Sequence, residues 1–411
     1  MNTIVENAEC IDRETRLKDF PILSRVIDDN RLVYLDSAAT SLKPLQVVSE
    51  ISRYYLEVSA NIHRGKHYLS EEASVFYEEG RYKVAQLIGA AGNEVVFVRN
   101  TTEALNIVAK GLDIGKNDTV VVCTDSHHSG YLPWLEKAKT QLVRIDAQGA
   151  VDLTHYGELL KLGPKVVSLT HCSNVSGLYA PIEEMAKMAK NVGAIVVLDA
   201  AQSIPHRRLD VNRMNIDFLA FSSHKMLGPT GIGVLYGKQQ QLEKLAPTYL
   251  GGGMVDWVDT TSYRARKIPH KFEAGTPHIA GVYGLVAAIK YLEKIGFDRM
   301  EAHDLELGKL LLTGAIKREY LEVIAPGNES AKRCAIISIK LRGHSNLGDI
   351  ARILSDSYGV MCRTGHMCAQ PFVDYLAHGE ILRASGYVYN TREDVTNFFE
   401  ALDEIQHAMN L

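Results

Sequence analysis

The middle of the chain repeats one unit: a short apolar run, a polar or reactive residue at its end, then a stretch with helical spacing. Val95-Val-Phe-Val98, Val120-Val-Val-Cys123, Val166-Val-Ser-Leu169, Ala194-Ile-Val-Val-Leu198, Phe218-Leu-Ala-Phe221 and Ile232-Gly-Val-Leu235 all read as short buried strands. Helical periodicity lies between several of them, as over residues 101–110 and 182–191, with Pro181 suited to a first helical position. Strand and helix in alternation imply a mainly parallel sheet covered by helices on both faces. Ligands in such α/β sheets gather outside the carboxyl ends of the strands. Thr101, His127, Asn174, Asp199 and Lys225 all follow apolar runs and are expected there.

The pattern changes after Phe272-Glu-Ala-Gly-Thr-Pro277. Long helical spacing fills residues 279–319, Ala335-Ile-Ile-Ser-Ile339 reads as a strand, and residues 347–358 as another helix. The expected organisation is a larger domain over residues 31–278 and a smaller α+β domain over 279–411, with segment 1–30 packing on the smaller one. A chain of 411 residues can bury cores of that size. Leu250-Gly-Gly-Gly-Met254 is the most flexible-looking connection.

Charge excludes some partners. The net charge is -4, from 45 basic and 49 acidic residues, with no long run of either sign, so neither nucleic acid nor an anionic membrane surface is expected. The first 19 residues carry Glu6, Glu9, Asp12 and Glu14 and lack an apolar stretch, which argues against a secretory or transit signal. No apolar run approaches the roughly 20 residues of a membrane helix. The six cysteines are scattered and form no CxxC pair. A reducing, cytoplasmic location is expected, with neither a disulfide framework nor a structural zinc site.

Lys225 lies just beyond one buried run, in Ser222-Ser-His-Lys-Met-Leu-Gly-Pro-Thr-Gly231, and Asp199 closes another. Alone, the lysine reads as a solvated loop residue and the acid as a helix cap. Together, at the tips of parallel strands, they suit pyridoxal 5'-phosphate: the amine binds the cofactor as an imine and the acid pairs with its ring nitrogen. Arg363-Thr-Gly-His-Met-Cys368 adds a candidate thiol nucleophile in a flexible, electropositive loop. Cys362 follows a strand-like run and reads as structural, as do Cys123, Cys172 and Cys334. Adjacent His127 and His128 lack the ligand spacing of a metal pair.

The ordered markers from Tyr34-Leu-Asp-Ser-Ala-Ala39 to Tyr389-Asn-Thr-Arg-Glu-Asp394 span nearly the whole chain. They include His63-Arg-Gly65, Arg99-Asn-Thr-Thr-Glu103, His127-His128, Ser173-Asn174, Asp199-Ala-Ala-Gln202, the Lys225 run, residues 272–277, the Cys368 loop and Arg383-Ala-Ser385. In this the chain resembles fold-type I, class V aminotransferase-like enzymes, and among them cysteine desulfurases of the SufS/CsdA group. The resemblance implies a homodimer that turns L-cysteine into L-alanine. A persulfide forms on Cys368 and passes to a protein or small-molecule acceptor, as in iron–sulfur cluster assembly. It implies that Lys225 moves the proton at Cα, that His127 stacks on the cofactor ring and that Gln202 bonds its phenolic oxygen. The phosphate would take Thr101, Thr102, Ser222 and His224, with Thr276 reaching it from the second subunit. Asn174 and Arg383 would hold the substrate carboxylate.

Two positions depart from the family pattern. The run Asp125-Ser126-His127-His128-Ser129-Gly130 lacks the usual acid directly before the histidines and the asparagine shortly after them, and Met367 precedes the thiol. Both bear on the acceptor and on the choice among cysteine, selenocysteine and cysteine sulfinate. The alternatives are a lyase or aminotransferase in which Cys368 carries no sulfur, and a silent scaffold that binds sulfur-transfer partners.

Overall fold

A computed structural model describes residues 10–409. Seven strands form the larger sheet: β1 (Val95–Val98), β2 (Thr119–Cys123), β3 (Lys139–Val143), β4 (Val166–Thr170), β5 (Ile195–Asp199), β6 (Phe218–Ser222) and β7 (Gly233–Gly237). Their order is β1-β7-β6-β5-β4-β2-β3. The five strands from β2 to β6 run parallel, whereas β7 is antiparallel to both β6 and β1. β1, β4, β6 and β7 are buried at every position, as a sheet with helices on both faces requires.

Apolar clusters lie on both faces. One gathers α1 (Tyr68–Ile88), the helix Ile182–Asn191 and the helix Ile279–Ile295 with residues of β1, β5 and β6; the other packs α2 (Thr101–Gly111) against the opposite face. Asn100 caps α2 by accepting from the Glu103 amide at 2.9 Å. Gly233 in β7 lets that cap approach: a Cβ there would stand 2.8 Å from Asn100 Cα and 2.8 Å from the Phe221 carbonyl. The start of α2 is thereby pressed against the end of β6.

The smaller sheet is antiparallel, with β8 (Leu321–Val323), β9 (Ile336–Leu341), β10 (Arg363–Gly365) and β11 (Ile381–Ser385) in the order β8-β9-β11-β10. It has a core of its own, built with the helices Phe297–Ile316, Leu347–Tyr358 and Arg392–Ala408. The helix Ile279–Ile295 instead buries its residues in the core beneath the larger sheet. Residues 1–9 of the expected N-terminal segment lie outside the described residues. Phe20 packs edge-on to Tyr291 and against Tyr389, at 5.9 and 5.1 Å between ring centres. Among the described residues no helix is long and apolar enough to cross a membrane.

A buried ion pair ties α1 to the loop after Pro269. Arg81 donates through Nη1 and Nη2 to the Glu273 oxygens at 2.6 and 2.9 Å, and the Phe97 amide of β1 donates to Glu273 at 2.8 Å. Burial works to raise the Glu273 pKa, but the Arg81 guanidinium and the donors around it hold it at about 2. Because that value lies below the ordinary 4.5, the stabilisation is fully present above about pH 4.5 and is lost as pH falls through about 2. Glu273→Ala leaves the buried guanidinium without this partner and should cost about 3–5 kcal/mol. Denaturant unfolding at neutral pH checks this; a loss below about 1 kcal/mol contradicts it.

Candidate active site

The parallel strands end at one cavity of about 230 Å³. Its wall includes Thr101, Thr102, His127, Asn174, Asp199, Gln202, Ser222, His224, Lys225, Cys368 and Arg383, so the geometry gathers every expected site residue except Thr276. Thr276 lines a separate cavity with His63, Arg64 and Pro277.

Lys225 ends a single turn, Ser223–Lys225, directly after β6. Enclosure of its amine lowers the pKa to about 8, against the opposing pull of Asp199. Asp199 ends β5 and is held up by burial, while the Ala201 amide, at 2.9 Å from Oδ1, and Lys225 pull the other way. The backbone that carries Lys225 is fixed by the turn after Asp36: the His224 carbonyl accepts from Ser41 N at 2.9 Å and Thr40 Oγ1 at 3.1 Å. Ser222 Oγ lies 2.8 Å from Thr101 N and 2.6 Å from Thr101 Oγ1, which joins the end of β6 to the start of α2.

His127 caps the helix His128–Lys137, its Nδ1 accepting from the Ser129 amide at 3.1 Å. That bond leaves the ring proton on Nε2. Burial, reinforced by Lys225 and other nearby cations, lowers the His127 pKa to about 4, so the ring is neutral. Ser129 Oγ also lies 2.7 Å from Thr102 Oγ1.

Arg383, on β11, is 2 % exposed. Its Nη2 meets Asp36 Oδ1 at 3.0 Å, its Nη1 donates to the Asn174 carbonyl at 2.9 Å, and its Nε has no hydrogen-bond partner among the described residues. A buried N–H on a charged group is costly to leave unpaired, and the Arg383 side chain lines the cavity. The Asn174 amide donates to the Met367 carbonyl at 2.7 Å. Gln202 likewise donates, to the Ala38 carbonyl at 2.7 Å.

Met367 and Cys368 adopt the left-handed region, at φ 52° and 55°, so the loop turns sharply at the thiol. Cys368 is exposed. Its carbonyl accepts from the His128 amide at 2.7 Å, and His128 Nε2 accepts from Gln370 N at 3.3 Å. His366 Nε2 lies 3.2 Å from Asp374 Oδ1. The loop is thus anchored on both sides of the thiol. Sequence reasoning assigned no site role to Asp36, Ala38, Ser129, Thr170 or Cys172. Asp36 and Ala38 stand inside a quoted motif, but only the fold reveals their partners. Cys172 is buried in the cavity wall with its Sγ 3.5 Å from Cys334 Sγ.

These donors suit pyridoxal 5'-phosphate: an amine with lowered pKa, a buried acid beside it, a neutral imidazole, and hydroxyls at a helix N-terminus. Residues 33–398 match the Aminotransferase class-V family. The chain is 40% identical over 422 residues to a cysteine desulfurase of Haloferax volcanii, covering 97% of this chain and 98% of that one. The apo cysteine desulfurase of Thermococcus onnurineus superposes with a TM-score of 0.89 at 39% identity, over 96% of this chain and 98% of the other. The cysteine desulfurase CsdA of Escherichia coli, in an S-sulfonic acid form, does so with a TM-score of 0.87 at 33% identity, over 97% and 99%.

Exposure separates the cysteines. Cys10, Cys123, Cys172 and Cys334 are buried and Cys362 is partly so, with burial raising the Cys362 thiol to about 12. A limiting alkylating reagent at neutral pH should therefore modify Cys368 first. Intact mass and peptide mapping of the native protein check this; first labelling at Cys362 or a buried cysteine contradicts it.

Proposed function

Since the chain belongs to the Aminotransferase class-V family and is a cysteine desulfurase within it, we propose that it takes sulfur from L-cysteine onto Cys368. The observation that carries the proposal is the exposed thiol of Cys368 standing at the same cavity as Lys225, Asp199 and Arg383. Lys225 would hold pyridoxal 5'-phosphate, Asp199 its ring nitrogen, Gln202 its phenolic oxygen, and Thr101, Thr102, Ser222 and His224 its phosphate. When bound, the cofactor supplies an electron sink for charge developed at the substrate Cα.

The chain's own groups do the rest. Arg383 and Asn174, both in the cavity wall, bind and orient the substrate carboxylate. His127 would pack against the cofactor ring face as a neutral imidazole. The Lys225 amine takes the Cα proton and later returns one. Cys368 Sγ bonds to the substrate sulfur as the Cβ–S bond breaks, and Cβ takes a proton. The products are alanine and one sulfur held on Cys368, so no outside oxidant or reductant is needed. An acceptor, protein or small molecule, then collects that sulfur.

A second copy of the chain completes this reading. Thr276 and the His63-Arg64 turn lie outside this chain's cavity, and a homodimer would bring them to the neighbouring one. The division at residues 31–278 and 279–411 is part of the same proposal, supported by the two separate sheets, with the helix Ile279–Ile295 packed across the boundary.

Three outcomes are expected. Single turnover with L-cysteine should release alanine and add one sulfur to the protein, removable by reductant and absent in Cys368→Ser. An unmodified mass with pyruvate as product sinks the proposal. Lys225→Ala should retain loose cofactor binding but lose turnover, and appreciable alanine formation by that variant refutes its assignment as base. Only the neutral amine attacks an aldehyde, so covalent attachment of the cofactor to apo protein should accelerate as pH rises through about 8 and then level off. Stopped-flow absorbance checks this; a rise continuing toward the ordinary lysine value of 10.5 contradicts it.

A further inference from the structure

Outside the cavity that Lys225 lines in the same chain, three metal-ligating side chains converge. His63, Glu78 and His270 each offer one donor atom, and all three donors lie within 4.8 Å of one another. His63 comes from the turn before α1, Glu78 from the middle of α1, and His270 from the short turn His270–Phe272, so three distant segments meet here. His63 Nε2 is already 3.5 Å from Glu78 Oε1, and the two imidazole rings are 5.2 Å apart. In the single chain the His63 side chain is 22 % exposed and that of Glu78 32 %.

The arrangement is held from outside. His63 sits at φ 70°, a left-handed conformation uncommon for histidine, and its amide donates to Ser74 Oγ at 2.7 Å. Ser74 Oγ in turn donates to the Ser70 carbonyl at 2.6 Å, which fixes it to α1. Glu273 Oε2 lies 3.8 Å from His270 Nδ1, placing a further carboxylate beside that ring. Arg81 holds Glu78 from the far side, more closely at Oε2 (2.8 Å) than at Oε1 (3.2 Å). The oxygen facing His63 is therefore the less committed one.

We propose that His63, Glu78 and His270 form a binding site for a divalent transition-metal ion, with one coordination position left open. Two imidazoles and one carboxylate match Zn²⁺ and its neighbours better than Ca²⁺ or Mg²⁺, which favour all-oxygen sets. Bonds of about 2.0–2.1 Å require the donors to close to roughly 3.4 Å, a small rotamer adjustment from the present spacing. Such an ion would tie the His63 turn and α1 to the loop that leads into Thr276. The site does not depend on the sulfur chemistry proposed above.

The test uses metal-stripped, cofactor-loaded protein titrated with Co²⁺, read by visible absorbance, and with Zn²⁺ against a chromogenic chelator. Wild type and Cys368→Ser should each take up one equivalent per chain. His270→Gln and Glu78→Gln should each weaken uptake by about tenfold or more. The desulfurase turnover of His270→Gln, measured without metal, verifies that the variant is folded, and Glu78→Gln serves as the independent second variant. Absence of stoichiometric uptake by wild type overturns the proposal. So does uptake that survives in both glutamine variants, or that disappears in Cys368→Ser.

Discussion

The parallel pairing of β5 with β6 is the constraint on which the site depends. Its register sets Asp199 beside Ala220, so an acid and, a few residues further, a lysine leave the sheet at neighbouring tips. Neither group is at ease there: burial raises the acid and lowers the amine, and each partly offsets the effect on the other. Two buried ionisable groups in this position are poor stabilisers of a fold. They make sense as a site prepared for a ligand that brings its own charge to the acid and its own carbonyl to the amine.

The second half of the site comes from the smaller sheet and meets the first through directional bonds. Arg383 on β11 reaches the Asn174 carbonyl, Asn174 reaches the Met367 carbonyl, and the His128 amide reaches the Cys368 carbonyl. Residues of both sheets thus fix the loop beside the thiol, while the thiol itself stays open to solvent. That combination suits a nucleophile that must enter the cavity and also meet an acceptor outside it. Asp36 belongs to the same network: it neutralises one edge of Arg383 and holds the guanidinium at the cavity wall.

Much of this was legible in the chain because buried parallel strands write themselves as continuous apolar runs. Val120-Val-Val-Cys123 and Phe218-Leu-Ala-Phe221 need no partner to be read, and the residues after them fall at the cavity. The strand Lys139–Val143 escaped notice because its burial alternates at the sheet edge, so it lacks the continuous signal. The helix His128–Lys137 escaped because Pro133 lies inside it. The direction of β7 could not be read either, since an apolar run is the same forwards and backwards. Pairings such as Arg81 with Glu273, 192 residues apart, carry no local trace at all.

Arg81 and Glu273 also fix a segment that lies outside the Lys225 cavity. The pair anchors the loop from His270 to Pro277 against α1 and β1, so the backbone that carries Thr276 has a fixed origin. Thr276 then points into a cavity shared with His63 and Arg64, away from Lys225. The same rigidity brings His270 to His63 and Glu78, because the turn that presents the histidine ends directly before the ion-paired Glu273. One buried guanidinium therefore organises both the segment that carries Thr276 and the cluster beside it.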